Sequence, residues 1–236
     1  TVLEAAAQHV GEGGSITEAE VREALQLRFA RHDKSGEEQY NMLSAYHKSL
    51  RASDPQAALY WMARMIEGGA DPMTLFRRGI AMAAEDIGLA DPEALKLAVA
   101  ARDAFHMLGP PEGYLPLTEM TVYLATAPKS NSVIMALHRA IEAAQNTPAA
   151  PVPLNIRNAP TALHRQLGYN EGYQYAHDSP EHYIPQQTLP AELEHEEFYR
   201  PGKFGFEREI AKRLEWWASL KGGHNLRQGT ESGPEK

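Results

Sequence analysis

Three Asp-Pro pairs, Asp54-Pro55, Asp71-Pro72 and Asp91-Pro92, limit most strongly what this chain can fold into. Each places a carboxylate where a helix needs a cap for its free backbone N–H groups. The proline follows at the first helical position, where a missing N–H costs nothing. Glycines stand where those helices should stop: Gly68-Gly69 after Ile66-Glu67, Gly88 after Ile87, and Gly109 before Pro110-Pro111. A chain punctuated in this way is an array of helices with short connections.

Apolar spacing extends the pattern in both directions. Upstream, Thr17 and Glu20 form a capping box ahead of Val21, Ala24, Leu25, Arg28 and Phe29. A second helix runs from Glu37, with Tyr40, Leu43, His47 and Leu50 about one turn apart. Downstream, helices are expected from about Leu117 to Thr126 and from about Asn131 to Gln145, divided by Ala127-Pro128-Lys129-Ser130. The regime changes at Pro148. Half of the 16 prolines and half of the 10 tyrosines lie between there and Pro201, without periodicity. Such a segment wraps a surface or binds something. A short helix is expected within it at Pro160 to Leu167. A longer one at Phe206 to Leu220 carries Ile210, Leu214 and Trp217 on one face, and a polar tail follows from Gly222. Trp61 reads as core, whereas the adjacent Trp216 and Trp217 cannot share a face, so one of them marks a surface between subunits.

Composition then excludes function classes. No apolar run approaches the roughly 20 residues that cross a bilayer, so a cytoplasmic location without membrane contact is expected. There are no cysteines, which removes thiol nucleophiles, thiolate zinc sites and disulfides. A formal net charge of −8 is the wrong sign for a stand-alone nucleic-acid module. Nothing matches a phosphate-binding loop, because neither Lys34-Ser35 nor Lys129-Ser130 follows the required glycines. No ATP binding, cofactor, metal or catalytic residue is therefore expected here.

Three clusters deserve weighing. Glu85-Asp86 is the best-placed acidic pair, but adjacent helical side chains diverge by about 100°, so the two do not converge as an acid/base pair would. A cation such as Arg77 or Arg78 is expected beside them. His164, His177 and His182, with Asp178 and Glu181, have no metal-ligand spacing. Arg157, Arg165, Tyr169, Tyr173 and Tyr175, with Lys129, interleave cations and aromatics in the manner of single-strand binders. The other reading of those residues is structural: tyrosines pack the irregular segment and arginines satisfy loop carbonyls. Both stand at this level.

Several long strings carry a resemblance. His32-Asp33-Lys34-Ser35-Gly36-Glu37-Glu38, Ser53-Asp54-Pro55-Gln56-Ala57-Ala58-Leu59-Tyr60-Trp61 and Glu85-Asp86-Ile87-Gly88-Leu89-Ala90-Asp91-Pro92 closely resemble the replication-associated recombination protein A family, RarA or MgsA in bacteria and Werner-helicase-interacting ATPases in eukaryotes. The likeness continues through Arg157-Asn158-Ala159-Pro160, Tyr175-Ala176-His177-Asp178 and Phe198-Tyr199-Arg200-Pro201. It implies the C-terminal part of an AAA+ ATPase that is stimulated by DNA, acts at stalled replication forks and associates with single-strand-binding protein.

The same resemblance implies an all-α helical array similar to clamp-loader collar domains, driving assembly of a homotetramer. ATP and Mg would belong to an ATPase domain upstream, and in a bacterium the protein would be associated with the nucleoid. The expected plan is an ATPase lid end over 1–30, a helical oligomerisation core over 31–147, a Pro/Tyr-rich wrapping segment over 148–203, a helix over 204–221 and a flexible tail over 222–236. The primary expectation is an assembly region that is not itself an enzyme. The alternative is a single-stranded DNA or partner-binding module.

Overall fold

In a computed structural model, residues 37–231 are described, with side chains through Lys221. The expectations for the Thr17 capping box and the lid end lie outside that range. The helices are α1 (residues 37–51), α2 (Pro55–Glu67), α3 (Pro72–Met82), α4 (Glu93–Leu108), α5 (Tyr114–Thr126), α6 (Ser132–Asn146), α7 (Ala162–Gln166) and α8 (Glu207–Glu231). The described residues contain no strand, and the fold is all-α. No described helix is long and apolar enough to cross a membrane.

All three Asp-Pro signals act as expected. Asp54 accepts from the Ala57 N–H at 2.9 Å, Asp71 from Met73 at 2.9 Å and Asp91 from Glu93 at 3.1 Å. Each carboxylate thereby satisfies a first-turn donor that the helix itself cannot. Two boundaries differ from the sequence reading. Helix α5 begins at Tyr114, about a turn early, because a tight turn brings the Gly113 N–H to the Gly109 carbonyl at 2.7 Å. Helix α8 continues to Glu231, beyond the end expected at Leu220.

The chain divides into two compact units. The described part of the first comprises residues 37–82 and 96–127, and its core forms where α2 and α3 pack on α5. Leu50, Met65, Leu75, Phe76, Leu117, Met120 and Leu124 are all buried there. Gly79 sets the closeness of α3 to α5, since a Cβ at that position would lie 2.5 Å from Met120 Cε. Two hydroxyls pair in this core. The Thr121 hydroxyl donates to the Leu117 carbonyl at 2.8 Å, which leaves its oxygen to accept from the Tyr46 hydroxyl at 3.0 Å. Burial raises the Tyr46 pKa to about 12, with the Thr121 hydrogen bond working weakly against it. Trp61 is half-buried rather than core: its ring meets Tyr60 edge-on at 5.1 Å and lies under the Arg64 guanidinium at 5.9 Å.

The described part of the second unit comprises residues 83–95 and 128–231. Its first stretch is a π-helical turn, Ala83–Ile87, running into a 3-10 turn, Gly88–Ala90. Glu85 and Asp86 therefore sit in a π turn and not in the last turn of an α-helix. Gly88 turns the chain with φ +52°. The Ser130 N–H donates to the Asp86 carbonyl at 2.8 Å and the Phe206 N–H to the Ala90 carbonyl at 2.8 Å. These bonds seat the starts of α6 and α8 on the π/3-10 stretch. Gly205, at φ +56°, makes the second one possible, because any Cβ there would overlap the Ala90 carbonyl oxygen.

Residues 148–206 form an ordered, irregular segment held largely by side chains. Asn155 Nδ2 donates to the Gln187 carbonyl at 2.8 Å, and Gln186 Nε2 to the Gln174 carbonyl at 3.0 Å. Gln186 Oε1 accepts from the Gln174 N–H at 3.3 Å. Thr161 caps the short α7 by accepting from His164. Side-chain amides here take the part that ladder partners play in a sheet.

Candidate functional site

The structure distributes the six predicted contact residues over three places. Arg157, Arg165 and Tyr169 come together. The Arg157 guanidinium lies 5.0 Å over the Tyr169 ring, donates to the Tyr169 hydroxyl at 3.3 Å and, through Nε, to the Val152 carbonyl at 2.6 Å. Arg165, on α7, donates to the Ala159 carbonyl at 3.3 Å and borders a depression of about 560 Å³ shared with Asn158, Tyr169 and Asn170. His164, which the sequence grouped with other histidines, stacks on Tyr169 at 5.1 Å and 10°. His177 and His182 face each other elsewhere, with their Nδ1 atoms 3.2 Å apart.

Tyr173 and Tyr175 line a separate, larger cleft. Lys129 is apart again, half-buried ahead of α6. Burial holds its pKa below the ordinary lysine range, and the neighbouring Asp86 charge works in the other direction. Lys129 thus lies within reach of the Asp86 charge, whereas Arg77 turns back to Asp71 at 3.8 Å. Of these three places, the Arg157, Arg165 and Tyr169 cluster is the one that sets positive charge beside an aromatic ring.

A second kind of surface was not singled out in the sequence. Around the α4–α5 turn, Met107 is 87% exposed, Leu108 56% and Leu115 72%. On α6, Leu137 and Ile141 lie one turn apart and are both exposed. Leu163 on α7 and Leu167, just after it, do the same. Contiguous exposed apolar groups mark places where other surfaces bind. Their sequence signal is the ordinary helical period, which does not separate an outer face from a core one.

Inside the second unit lies a group that the sequence reading missed. Glu207, the first residue of α8, is fully buried. Its carboxylate accepts from the Ser132 hydroxyl, from the Tyr199 hydroxyl at 2.9 Å and from the Gly202 N–H at 2.9 Å. Burial alone would raise its pKa. Hydrogen bonds from Ser130, Ser132, Tyr199 and Gly202 outweigh that and hold the group below the usual carboxylate range. Tyr199 is driven to about 12 by burial and then by the Glu207 charge. All the donors are neutral, so the arrangement stores a charge and ties backbone together without offering a proton or a nucleophile.

Comparison with known proteins fits this helical arrangement. Residues 52–218 match the family model described as MgsA AAA+ ATPase C terminal, and residues 1–51 match one described as AAA C-terminal domain. Replication-associated recombination protein A of Escherichia coli K12 is 44% identical over 192 residues, 81% of this chain and 43% of that protein. The Haemophilus influenzae protein of the same name is 42% identical over 210 residues, covering 89% and 47%. ATPase WRNIP1 of Dictyostelium discoideum is 40% identical over 185 residues, covering 78% and 21%. The chain thus spans less than half the length of these relatives. With the family model matched across most of its length, the chain belongs to the family of C-terminal regions of MgsA-type AAA+ ATPases.

Proposed function

We propose that this chain is the assembly region of an AAA+ ATPase acting in replication-associated recombination and fork rescue, and that it joins copies of that ATPase into a homotetramer. What carries this reading is the α4–α5 corner, where Met107, Leu108 and Leu115 hold three large apolar side chains in water around one tight turn. Burying such a corner against a second copy removes apolar surface at roughly 25 cal/mol per Å², and isologous pairing is the common way to do so. The exposed pair Leu137 and Ile141 on α6 offers a second contact. Two different contacts per chain are what a dimer of dimers requires.

The ATPase chemistry, with ATP and Mg, belongs in this reading to sequence outside the chain. DNA and single-strand-binding protein are partners of the whole protein, which works in the cytoplasm or on the nucleoid. Light scattering of the 236-residue chain across a concentration series tests the assembly role. A tetrameric mass supports it, and a monomer at every concentration removes it.

One observation favours a second role for the same region. Arg157, Arg165 and Tyr169 share one surface, with a guanidinium already stacked on an aromatic ring. Phosphate neutralisation beside a stacking face suits single-stranded DNA. Salt-sensitive binding that weakens on replacing both arginines supports this role, and no binding at low salt eliminates it.

A further inference from the structure

The larger cleft of the second unit has a chemistry that neither assembly nor DNA binding uses. It occupies about 700 Å³ between residues 173–185 and the α8 side chains Ser219 and Leu220. Volumes of roughly 300–1,000 Å³ are usual for ligand sites. Three tyrosines, Tyr173, Tyr175 and Tyr183, form its aromatic walls, and Asp178 and Glu181 add two carboxylates. Among the described residues, no lysine, arginine or histidine lines it. Among the described residues neither carboxylate forms an ion pair, and Glu181 spends one oxygen on the Ser179 hydroxyl at 2.9 Å.

The walls are set before any ligand arrives. Tyr183 stacks on Trp217 of α8 at 5.8 Å and 15°. The reciprocal Gln174–Gln186 hydrogen bonds fasten the two sides of the segment to each other. Tyr173 and Tyr175 remain 45% and 56% exposed, with the Tyr175 ring meeting His177 at 5.1 Å and 49°, so both rings keep surface open to a partner. Aromatic faces beside unpaired carboxylates attract a flat, weakly hydrated cation, whose charge meets the ring quadrupole and the acids together. The described residues make this contact three times, with Arg64 over Trp61, Arg157 over Tyr169 and Arg213 over Phe206. A phosphate backbone would be repelled.

We infer that this cleft is a docking site for an arginine-bearing peptide segment of a partner protein, with the guanidinium held against Tyr173 and Tyr175 and paired to Asp178 and Glu181. The volume exceeds one side chain, so the flanking residues of the segment enter too, against Pro180 and Leu220.

The test is fluorescence anisotropy with a labelled acetyl-Gly-Pro-Arg-Pro-Gly amide titrated with the 236-residue chain. Binding with Kd on the order of 100 μM at low salt is expected, weakening at least about tenfold when citrulline, neutral but of the same shape, replaces arginine. The double variant Asp178→Asn, Glu181→Gln should lose a similar factor and most of the salt dependence, and Tyr175→Ala should also weaken binding. These positions are exposed, and unchanged thermal unfolding of each variant will verify the fold. Equal binding of the citrulline peptide, indifference to the carboxylate substitutions, or no binding up to 1 mM chain would each overturn the proposal.

Discussion

The Tyr199 hydroxyl donates to the Glu207 carboxylate at 2.9 Å in a site with no cation, where a fully buried acid is stabilised by neutral donors alone. Glu207→Ala would strand the Ser132 and Tyr199 hydroxyls and the Gly202 N–H together. A loss of about 3 kcal/mol or more is expected in urea unfolding, with Glu207→Gln losing less because its carbonyl oxygen still accepts.

The same group sets an acid limit. A folded pKa below the unfolded value gives stability that is present above the unfolded pKa and lost as pH falls through the folded one. The Glu207 contribution should therefore begin to fade below about pH 4.5, the ordinary value, and disappear at lower pH. Thermal unfolding of the parent and Glu207→Gln across that range should converge as the pH falls.

At the alkaline end the sign is reversed. Tyr46 and Tyr199 are both raised from 10.0 to about 12, so each contributes stability below pH 10 that is lost as pH rises toward 12. Ultraviolet titration should show two late tyrosine ionisations near pH 12. Tyr46→Phe should remove one late step and cost about 1 kcal/mol, the net value of its bond to Thr121.

At the apolar corner, Met107→Glu with Leu115→Glu should reduce the scattering mass from a tetramer to the dimer that the α6 contact still holds. Because both side chains are exposed, monomer stability should change by only about 0.5 kcal/mol. Unchanged mass in the double variant would move the interface elsewhere.

For the arginine cluster, the slope of log affinity for single-stranded DNA against log salt should fall by roughly 0.7 for each of Arg157→Ala and Arg165→Ala.

What was legible in the sequence was local. Asp54, Asp71 and Asp91 each cap within three residues, so a short string contains the whole interaction. The grouping of Arg157 with Tyr169 was legible for the same reason, being twelve residues apart. Glu207 was not: it reads as one more acid opening an amphipathic helix, and its burial depends on Ser132, 75 residues away. Tyr173 and Tyr175 were assigned to the arginine cluster because they are near it in the chain. The Gln174–Gln186 bonds and the Tyr183–Trp217 stack instead place them on another wall. Trp61 was read as core from its size and position, which do not reveal that its ring lies under Arg64 at the surface.

Ser132 and Glu207 also act as a clasp. They join the start of α6 to the start of α8 and close a loop around everything between. Closing such a loop costs entropy that grows only with the logarithm of its length, about 0.6 kcal/mol for each doubling. The enclosed segment is therefore free to lengthen, shorten or change its recognition chemistry at small thermodynamic cost while the clasp keeps its ends together. New specificities can arise inside the loop without rebuilding the helices that hold it.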